Sequence, residues 1–275
     1  MINFINGLVP DFDFPESGFK KIYGVPSELN QLLRAGDLIL SPVSSVEYLL
    51  NSQKYQILPE ICIASHSFAK TVGIFSHYNP SQWDGKTFFL SGFSATSVHL
   101  FQVLCQRYLS CEVEVVQGDL SGQENLDYPR LTRDFDGILL IGDQVHEFQK
   151  LGYLPYHDLC FLWKHYTSKP FVFALWLVRI DSIKHLKKEI SQIHHSLRYS
   201  IGSGLEHLRD VYEDSKTDWS WDEFHDYFTK AMEYRLGKNE IAGLRQFSQD
   251  LVACNLLAEE PDLVFFDPLI QLKND

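Results

Sequence analysis

Two pairs of adjacent hydroxyl residues, Ser44-Ser45 and Thr96-Ser97, each stand at the start of an apolar segment with helical spacing. A hydroxyl side chain at a helix start can bond to the free backbone N–H groups there, and a helix N-terminus favours a bound anion. Each pair also follows a short apolar run that predicts a strand, and open α/β sheets bind ligands at the carboxyl ends of their strands. The pattern therefore favours an anion-binding site, with ordinary helix capping as the structural alternative.

The turn Gly142-Asp143 shows the same order of elements. It follows an apolar run at residues 138–141 and precedes a predicted helix, as the first serine pair follows the run at residues 38–40. We expect that earlier run to be a strand covered on both faces in a parallel sheet, and a serine of the pair to cap the next helix. Two copies of one arrangement predict two similar lobes with a ligand between them. Asp143 is a candidate acid or base, with a structural carboxylate at its helix start as the alternative.

Asn6, Ser94 and Glu47 extend the set of candidate polar residues. Residues 1–5 predict a first strand, which places Asn6 at a strand's carboxyl end. Ser94 adds a third hydroxyl residue just before the second predicted helix, although capping a helix requires only one hydroxyl group. Glu47 lies in the first helical turn after the serine pair. Like Asp143, it is either an acid or base or a structural carboxylate at a helix start, and the structural role is favoured.

Composition and charge exclude several classes of protein. With 275 residues, 45% hydrophobic and 22% charged, the chain is expected to be a soluble globular protein with one large or two modest cores. A net charge of −12 argues against nucleic acid as a partner. No apolar run approaches the roughly 18 residues of a membrane span, and the first fifteen residues lack Lys and Arg, which predicts a cytoplasmic protein. The five cysteines are scattered, so we expect reduced thiols rather than disulfides or a zinc site.

The order of predicted elements gives a two-lobed α/β protein. We expect residues 1–84 plus 179–275 to form lobe 1 and residues 85–178 to form lobe 2, because residues 79–85 are polar and turn-rich and residues 170–179 are the most apolar run. Beyond Ser182 the spacing predicts helices that cover lobe 1, one of them over residues 221–236. The sequence predicts no oligomeric state.

Several segments resemble the chorismate dehydratases (MqnA) of menaquinone biosynthesis by the futalosine route, nearly from end to end. The segments that carry the resemblance are residues 2–6 with Pro10, 24–30, 40–48, 94–98, 140–143, 171–176, 231–237 and 243–247. The resemblance implies a type II periplasmic-binding-protein fold with the site in the cleft between lobes. It also implies conversion of chorismate to 3-[(1-carboxyvinyl)oxy]benzoate and water, without metal, nucleotide or redox cofactor. This sequence departs from the family pattern at two places. Gly7 stands where the family usually has a hydroxyl residue. Residues 67–72 also differ from the family sequence, although Thr71 keeps a hydroxyl group there.

The resemblance also suggests roles for the candidate residues. Chorismate carries two carboxylates, so one anion site in each lobe is expected, with the substrate contacts spread over seven positions: Ser44, Ser45, Thr71, Ser94, Thr96, Ser97 and Gly142. Asn6 is expected to orient the ring or its hydroxyl, and either a substrate carboxylate or Asp143 to accept the proton. Two alternatives stay open: a 1,4-dihydroxy-6-naphthoate synthase of the same route, and a cytosolic anion-binding protein without activity.

Overall fold

A computed structural model describes residues 5–15, 18–91, 95–118 and 128–268, with the backbone alone at Asn6. The strands in this part of the chain are β1 (Leu40–Ser44), β2 (Tyr55–Ser65), β3 (Val72–Ser76), β4 (Thr87–Ser91), β5 (Glu114–Gly118), β6 (Gly137–Ile141), β7 (Tyr156–Asp158), β8 (Phe171–Arg179) and β9 (Met232–Leu236). The α-helices are α1 (Leu8–Asp11), α2 (Pro26–Ala35), α3 (Ser45–Asn51), α4 (Ala95–Val103), α5 (Tyr128–Asp134), α6 (Asp143–Leu151), α7 (Leu159–Thr167), α8 (Ile180–Glu206), α9 (Leu208–Ser215), α10 (Trp221–Asp226) and α11 (Lys238–Ala253). Helices α4 and α10 continue into π-helical turns, Leu104–Leu109 and Tyr227–Ala231.

The described strands form two sheets. The first has the order β1-β8-β2-β9 and is antiparallel throughout. The second has the order β5-β4-β6-β3-β7, in which β4 runs parallel to both β5 and β6. Strand β6 is buried at every position, as its unbroken apolar sequence predicts. The strand-turn-helix units at β1-α3 and β6-α6 are both present, one on each sheet.

The position and direction of strand β1 contradict one prediction from the sequence. It begins at Leu40, pairs antiparallel with β8, and lies at one end of the described sheet, whereas residues 38–40 predict a doubly covered parallel strand. Ile39 is 44% exposed. Pro42 explains the position, because a residue without a backbone N–H is tolerated at a sheet edge and not at its centre.

The chain passes between the sheets earlier than the sequence predicts. It leaves the first sheet after Ser65 and joins the second at Val72, because β3 pairs with β6 and β7. It leaves the second sheet after Asp158 and returns at Phe171, because β8 pairs with β1 and β2. Sheet membership therefore changes before positions 84–85 and 178–179, the predicted lobe boundaries. An apolar run indicates burial but does not identify the sheet that pairs it.

The segment predicted as one helix over residues 221–236 contains three elements. Helix α10 ends at Asp226, a π-helical turn follows, and Met232–Leu236 form β9 against β2. Buried Tyr234 and Leu236 alternate with exposed Arg235, which is the period of a strand. The first predicted strand, residues 1–5, lies outside the described residues except for Ile5, which begins a 3₁₀ turn.

One connected hydrophobic core lies under both sheets and their helices. Its largest members are fully buried and include Trp83, Trp163 and Trp176. Truncating a buried aromatic side chain of this size typically costs about 3–5 kcal/mol, so these residues contribute strongly to the stability of the fold. None of the helices in the described ranges is both long enough and apolar enough to cross a bilayer.

Candidate functional site

A small cavity of about 60 Å³ lies between the two sheets. Its polar lining comes from four side chains that carry hydroxyl groups: Ser44, Thr71, Ser97 and Tyr227. Its apolar walls come from both sheets and include Val43 and Phe173 from the first and Val72 and Ile141 from the second. Apolar walls with a few convergent polar groups are typical of a small-molecule site.

Three helices begin at this cavity. Ser44 immediately precedes α3, Ser97 lies in the first turn of α4, and Gly142 immediately precedes α6, and all three residues line the cavity. Gly142 has φ 63° and ψ −140°, a backbone region that is open essentially to glycine alone. The positive ends of three helix dipoles therefore lie close to one small volume.

Asn30 fixes Ser44 at the cavity wall. The Asn30 amide donates to Ser44 Oγ at 3.2 Å, and the Ser44 backbone N–H donates to Asn30 Oδ1 at 3.1 Å. Ser44 occupies the N-cap position of α3, but neither it nor Ser45 provides the predicted side-chain cap. That prediction is wrong because buried Asn30, on α2, binds the Ser44 hydroxyl and holds it away from the helix N–H groups.

Ser45 and Thr96 are fully buried behind the cavity, where they join the two helix starts. Ser45 Oγ donates to the carbonyl of Val172 at 2.8 Å and lies 3.4 Å from Thr96 Oγ1. The backbone N–H of Val46 also donates to Thr96 Oγ1, at 3.3 Å. The two hydroxyl groups therefore link α3, which follows β1 of the first sheet, to α4, which follows β4 of the second sheet.

Thr71 and Tyr227 form another part of the wall. Thr71 Oγ1 donates to the carbonyl of Ala69 at 3.2 Å and lies 3.4 Å from the Tyr227 hydroxyl. Burial raises the pKa of Tyr227, and nearby Asp143 raises it further, so the phenol stays protonated as a hydrogen-bond donor. Sequence reasoning missed Tyr227, because its π-helical turn resembles an ordinary apolar helix face; such turns are frequent at functional sites.

Asp143 is the first residue of α6, so it is a first-turn carboxylate. It lines a larger, more open cavity of about 810 Å³, which adjoins the small cavity at Ile5. Burial raises the pKa of Asp143 to about 6, and the charges of Glu147 and Asp218 add to this shift. A carboxyl group with this pKa can exchange a proton near neutral pH, and its catalytic role stays a prediction.

Glu47 has structural partners. Its buried carboxylate pairs with Arg34 and accepts hydrogen bonds from Tyr55 at 3.0 Å and from Asn51 at 3.1 Å. Ser94 and the side chain of Asn6 lie outside the described residues. The backbone of Asn6 belongs to the 3₁₀ turn Ile5–Gly7, in which Ile5 lines both cavities and Gly7 lines the larger one.

Solved structures resemble this fold along nearly its whole length. AF1704 from Archaeoglobus fulgidus superposes with a TM-score of 0.71 at 15% identity, covering 94% of this chain and 97% of its own. The Candida albicans CA3427 product, described as having the generic periplasmic binding protein fold, gives a TM-score of 0.64 at 13% identity over 93% of this chain and 89% of its own. Identities this low show the fold alone. The predicted periplasmic-binding-protein-like α/β fold is confirmed.

The sequence itself matches a family. Residues 1–252 match the family model described as menaquinone biosynthesis. A chorismate dehydratase of Thermus thermophilus is 31% identical over an alignment of 213 residues that covers 71% of this chain and 73% of that protein. This chain belongs to the menaquinone biosynthesis family.

Proposed function

We propose that this protein is a chorismate dehydratase, a hydro-lyase that converts chorismate into 3-[(1-carboxyvinyl)oxy]benzoate and water. The observation that carries the proposal is the convergence of three helix N-termini on one cavity with apolar walls. The apolar walls suit a six-membered carbon ring, and the helix starts suit its two carboxylates. Membership of the menaquinone biosynthesis family and the similarity to a chorismate dehydratase support the same activity.

Local groups must bind the two carboxylates, because a protein with a net charge of −12 repels a dianion at long range. Of the described residues that line the cavity, none is Lys or Arg. Backbone N–H groups at the starts of α4 and α6, with the hydroxyl groups of Ser44 and Ser97, fill this role. A hydrogen bond to a charged group contributes about 1.5–3 kcal/mol, so a few such contacts can hold each carboxylate.

The reaction removes one ring proton and the ring hydroxyl group of chorismate. The electrons of the broken C–H bond enter the ring as the C–O bond breaks, which makes the ring aromatic and drives the step downhill. The enzyme must therefore position the ring, stabilise the departing oxygen and provide a proton acceptor. In our proposal Tyr227 donates to a substrate oxygen, Asn6 orients the ring, and either Asp143 or a substrate carboxylate accepts the proton.

Substrate entry requires the cavity to enlarge. Its volume of about 60 Å³ is well below the roughly 300–1,000 Å³ of small-molecule sites. The adjoining cavity of about 810 Å³ provides the approach, with Ile5 in the wall that both share. We propose that the sheets part during entry, so that the contact between Ser45 and Thr96 breaks, and that closure then excludes water.

Turnover by the purified protein tests the proposal. Incubation with chorismate should yield an aromatic product lighter by the mass of one water, detected by ultraviolet absorbance and mass spectrometry. The double variant Ser44→Ala/Ser97→Ala should lose turnover. Ser220→Ala, which removes a helix-cap hydroxyl that does not line the cavity, should lose only about 1 kcal/mol of stability and keep turnover. Binding of chorismate without any product would instead indicate an anion-binding protein, and the proposal would fail.

A further inference from the structure

Cys105 and Cys111 lie against each other at the end of the helical segment that continues α4. The π-helical turn Leu104–Leu109 ends at Ser110, which is in the left-handed region with φ 51°. The backbone N–H of Cys111 then donates to the carbonyl oxygen of Cys105 at 3.0 Å. This bond brings the backbones of the two cysteines together, as a disulfide requires, because its Cα atoms usually lie about 4.4–6.8 Å apart.

Both cysteines are buried, yet both border an open cavity. Cys105 is 1% exposed and Cys111 6%, and both line an open cavity of about 710 Å³ together with Gln102, Gln106 and Ser110. A small oxidant such as hydrogen peroxide can therefore approach the pair through this cavity. Cys62 and Cys160 are buried and do not line this cavity.

The two thiols differ in reactivity. A hydrogen bond between the two thiols lowers the pKa of Cys111 and raises that of Cys105. Burial raises the pKa of Cys254, and the charge of Asp250 raises it further, although Cys254 is more exposed than either member of the pair. Because the thiolate is the nucleophile, Cys111 is the thiol expected to react first.

We propose that Cys105 and Cys111 form a redox modification site, which a hydroperoxide converts into an intramolecular disulfide. The Cys111 thiolate attacks a peroxide oxygen, the O–O bond breaks, and Cys111 becomes a sulfenic acid. The Cys105 sulfur then attacks the Cys111 sulfur and displaces the oxygen as water. With hydrogen peroxide, two thiols lose two electrons and two protons, and one peroxide becomes two waters. The inference is independent of the dehydratase activity.

Peptide mapping of the intact protein tests this site. Trypsin cleaves after Arg107, between the two cysteines, so Cys105 lies in the peptide of residues 87–107 and Cys111 in that of residues 108–130. After treatment with hydrogen peroxide and blocking of free thiols, the two peptides should remain linked and separate on reduction. Half-conversion of the pair should need less peroxide than oxidation of Cys254, because the pKa of Cys111 is lowered and that of Cys254 is raised, so Cys111 has the larger thiolate fraction.

Three Cys-to-Ser variants test the role of each cysteine. Cys111→Ser should abolish linkage and leave Cys105 a free thiol at the same peroxide concentration. Cys105→Ser should leave Cys111 as a sulfenic acid that dimedone labels, and Cys254→Ser, the matched control, should form the link as the wild type does. The proposal is overturned if Cys254 oxidises before the pair, or if Cys111 reaches sulfinic acid without any linked peptide in the wild-type protein.

Discussion

The backbone N–H of Lys70 donates a hydrogen bond of 2.8 Å to the carboxylate of Asp158. This bond joins the two passages of the chain between the sheets, because Lys70 lies between β2 and β3 and Asp158 lies at the start of α7. The same carboxylate accepts from the N–H groups of Ala69 at 3.2 Å and Phe161 at 3.1 Å. Lys70 is held in the left-handed region, with φ 59°, and the next residue is Thr71 in the cavity wall. Asp158 therefore positions both the crossing and the site.

Asp158→Asn should weaken this junction. One amide oxygen cannot accept all the bonds that the buried carboxylate accepts, and the new NH₂ group faces N–H donors. We expect a loss of about 1–3 kcal/mol in the free energy of unfolding, measured with urea, and a lower kcat/KM because Thr71 is displaced. Asp267→Asn, on a side chain 92% exposed, is the control and should change stability by less than about 0.5 kcal/mol. Equal stability of the two variants would contradict the role of Asp158.

Tyr227→Phe should reduce activity more than stability. The change removes only the hydroxyl group beside Thr71 and keeps the buried ring. If the phenol donates to a substrate oxygen, kcat/KM should fall about 10- to 100-fold, as for loss of a hydrogen bond to a charged group. Tyr108→Phe removes a comparable hydroxyl, which donates to Asp250 at 2.6 Å outside the cavity, and should leave kcat/KM near the wild-type value. Similar kinetics for the two variants would exclude Tyr227 from substrate binding.

Ser97→Ala and Thr96→Val should separate a substrate contact from a structural one. Ser97 lines the cavity, so loss of its hydroxyl group should raise KM for chorismate. Thr96 is fully buried and accepts from the N–H of Val46, so its replacement leaves that donor unpaired and should cost about 1–3 kcal/mol. Urea unfolding and steady-state kinetics on both variants give the comparison. A larger KM effect at Thr96 than at Ser97 would reverse the assignment.

Local sequence patterns predicted the parts of the site that depend on a few neighbouring residues. The apolar run, the Gly142-Asp143 turn and α6 follow one another as expected, because strand burial and helix starts have local signatures. The partner of Ser44 could not be predicted, because Asn30 lies in another helix and only the folded chain brings the two together. Tyr227 was missed for a similar reason, since a π-helical turn and the pairing of β9 with β2 replace the single helix that the spacing of residues 221–236 predicts.

Asp143→Asn should stabilise the protein at neutral pH. The folded-state pKa of Asp143 is raised to about 6, so the folded protein holds this proton more tightly than the unfolded chain does. The resulting loss in the free energy of unfolding is absent below pH about 4, grows as pH rises, and is complete above pH about 6. We expect the variant to gain about 1–2 kcal/mol at pH 7.5, after allowing for the helix dipole, and less at pH 4.5.

Urea unfolding at the two pH values measures this difference. Asp222→Asn, at an exposed first-turn carboxylate of α10, is the matched control and should instead lose about 0.3–1 kcal/mol at pH 7.5. If Asp143→Asn and Asp222→Asn are destabilised alike, burial does not raise the free energy of the Asp143 carboxylate.

The final prediction distinguishes positioning from base catalysis. If Asn6 orients chorismate and a substrate carboxylate accepts the proton, Asn6→Ala should lower kcat strongly without changing the shape of its pH dependence, because no titrating protein group is removed. Asp143→Asn should then lower kcat only slightly. If Asp143 is the base, wild-type kcat should rise with pH up to about 6 and then level, since only its deprotonated form accepts a proton. Asp143→Asn should then cost about 10²–10⁴-fold in kcat.

Chorismate binding should survive both changes, because the hydroxyl groups of Ser44 and Ser97 remain in the cavity wall. Calorimetric titration with a product or substrate analogue checks this point separately from turnover. We expect Asn6→Ala to be the more damaging variant. An Asn6→Ala protein with full activity would remove the orienting role proposed for Asn6, and a flat wild-type pH profile between pH 5 and about 7.5 would remove Asp143 as the base.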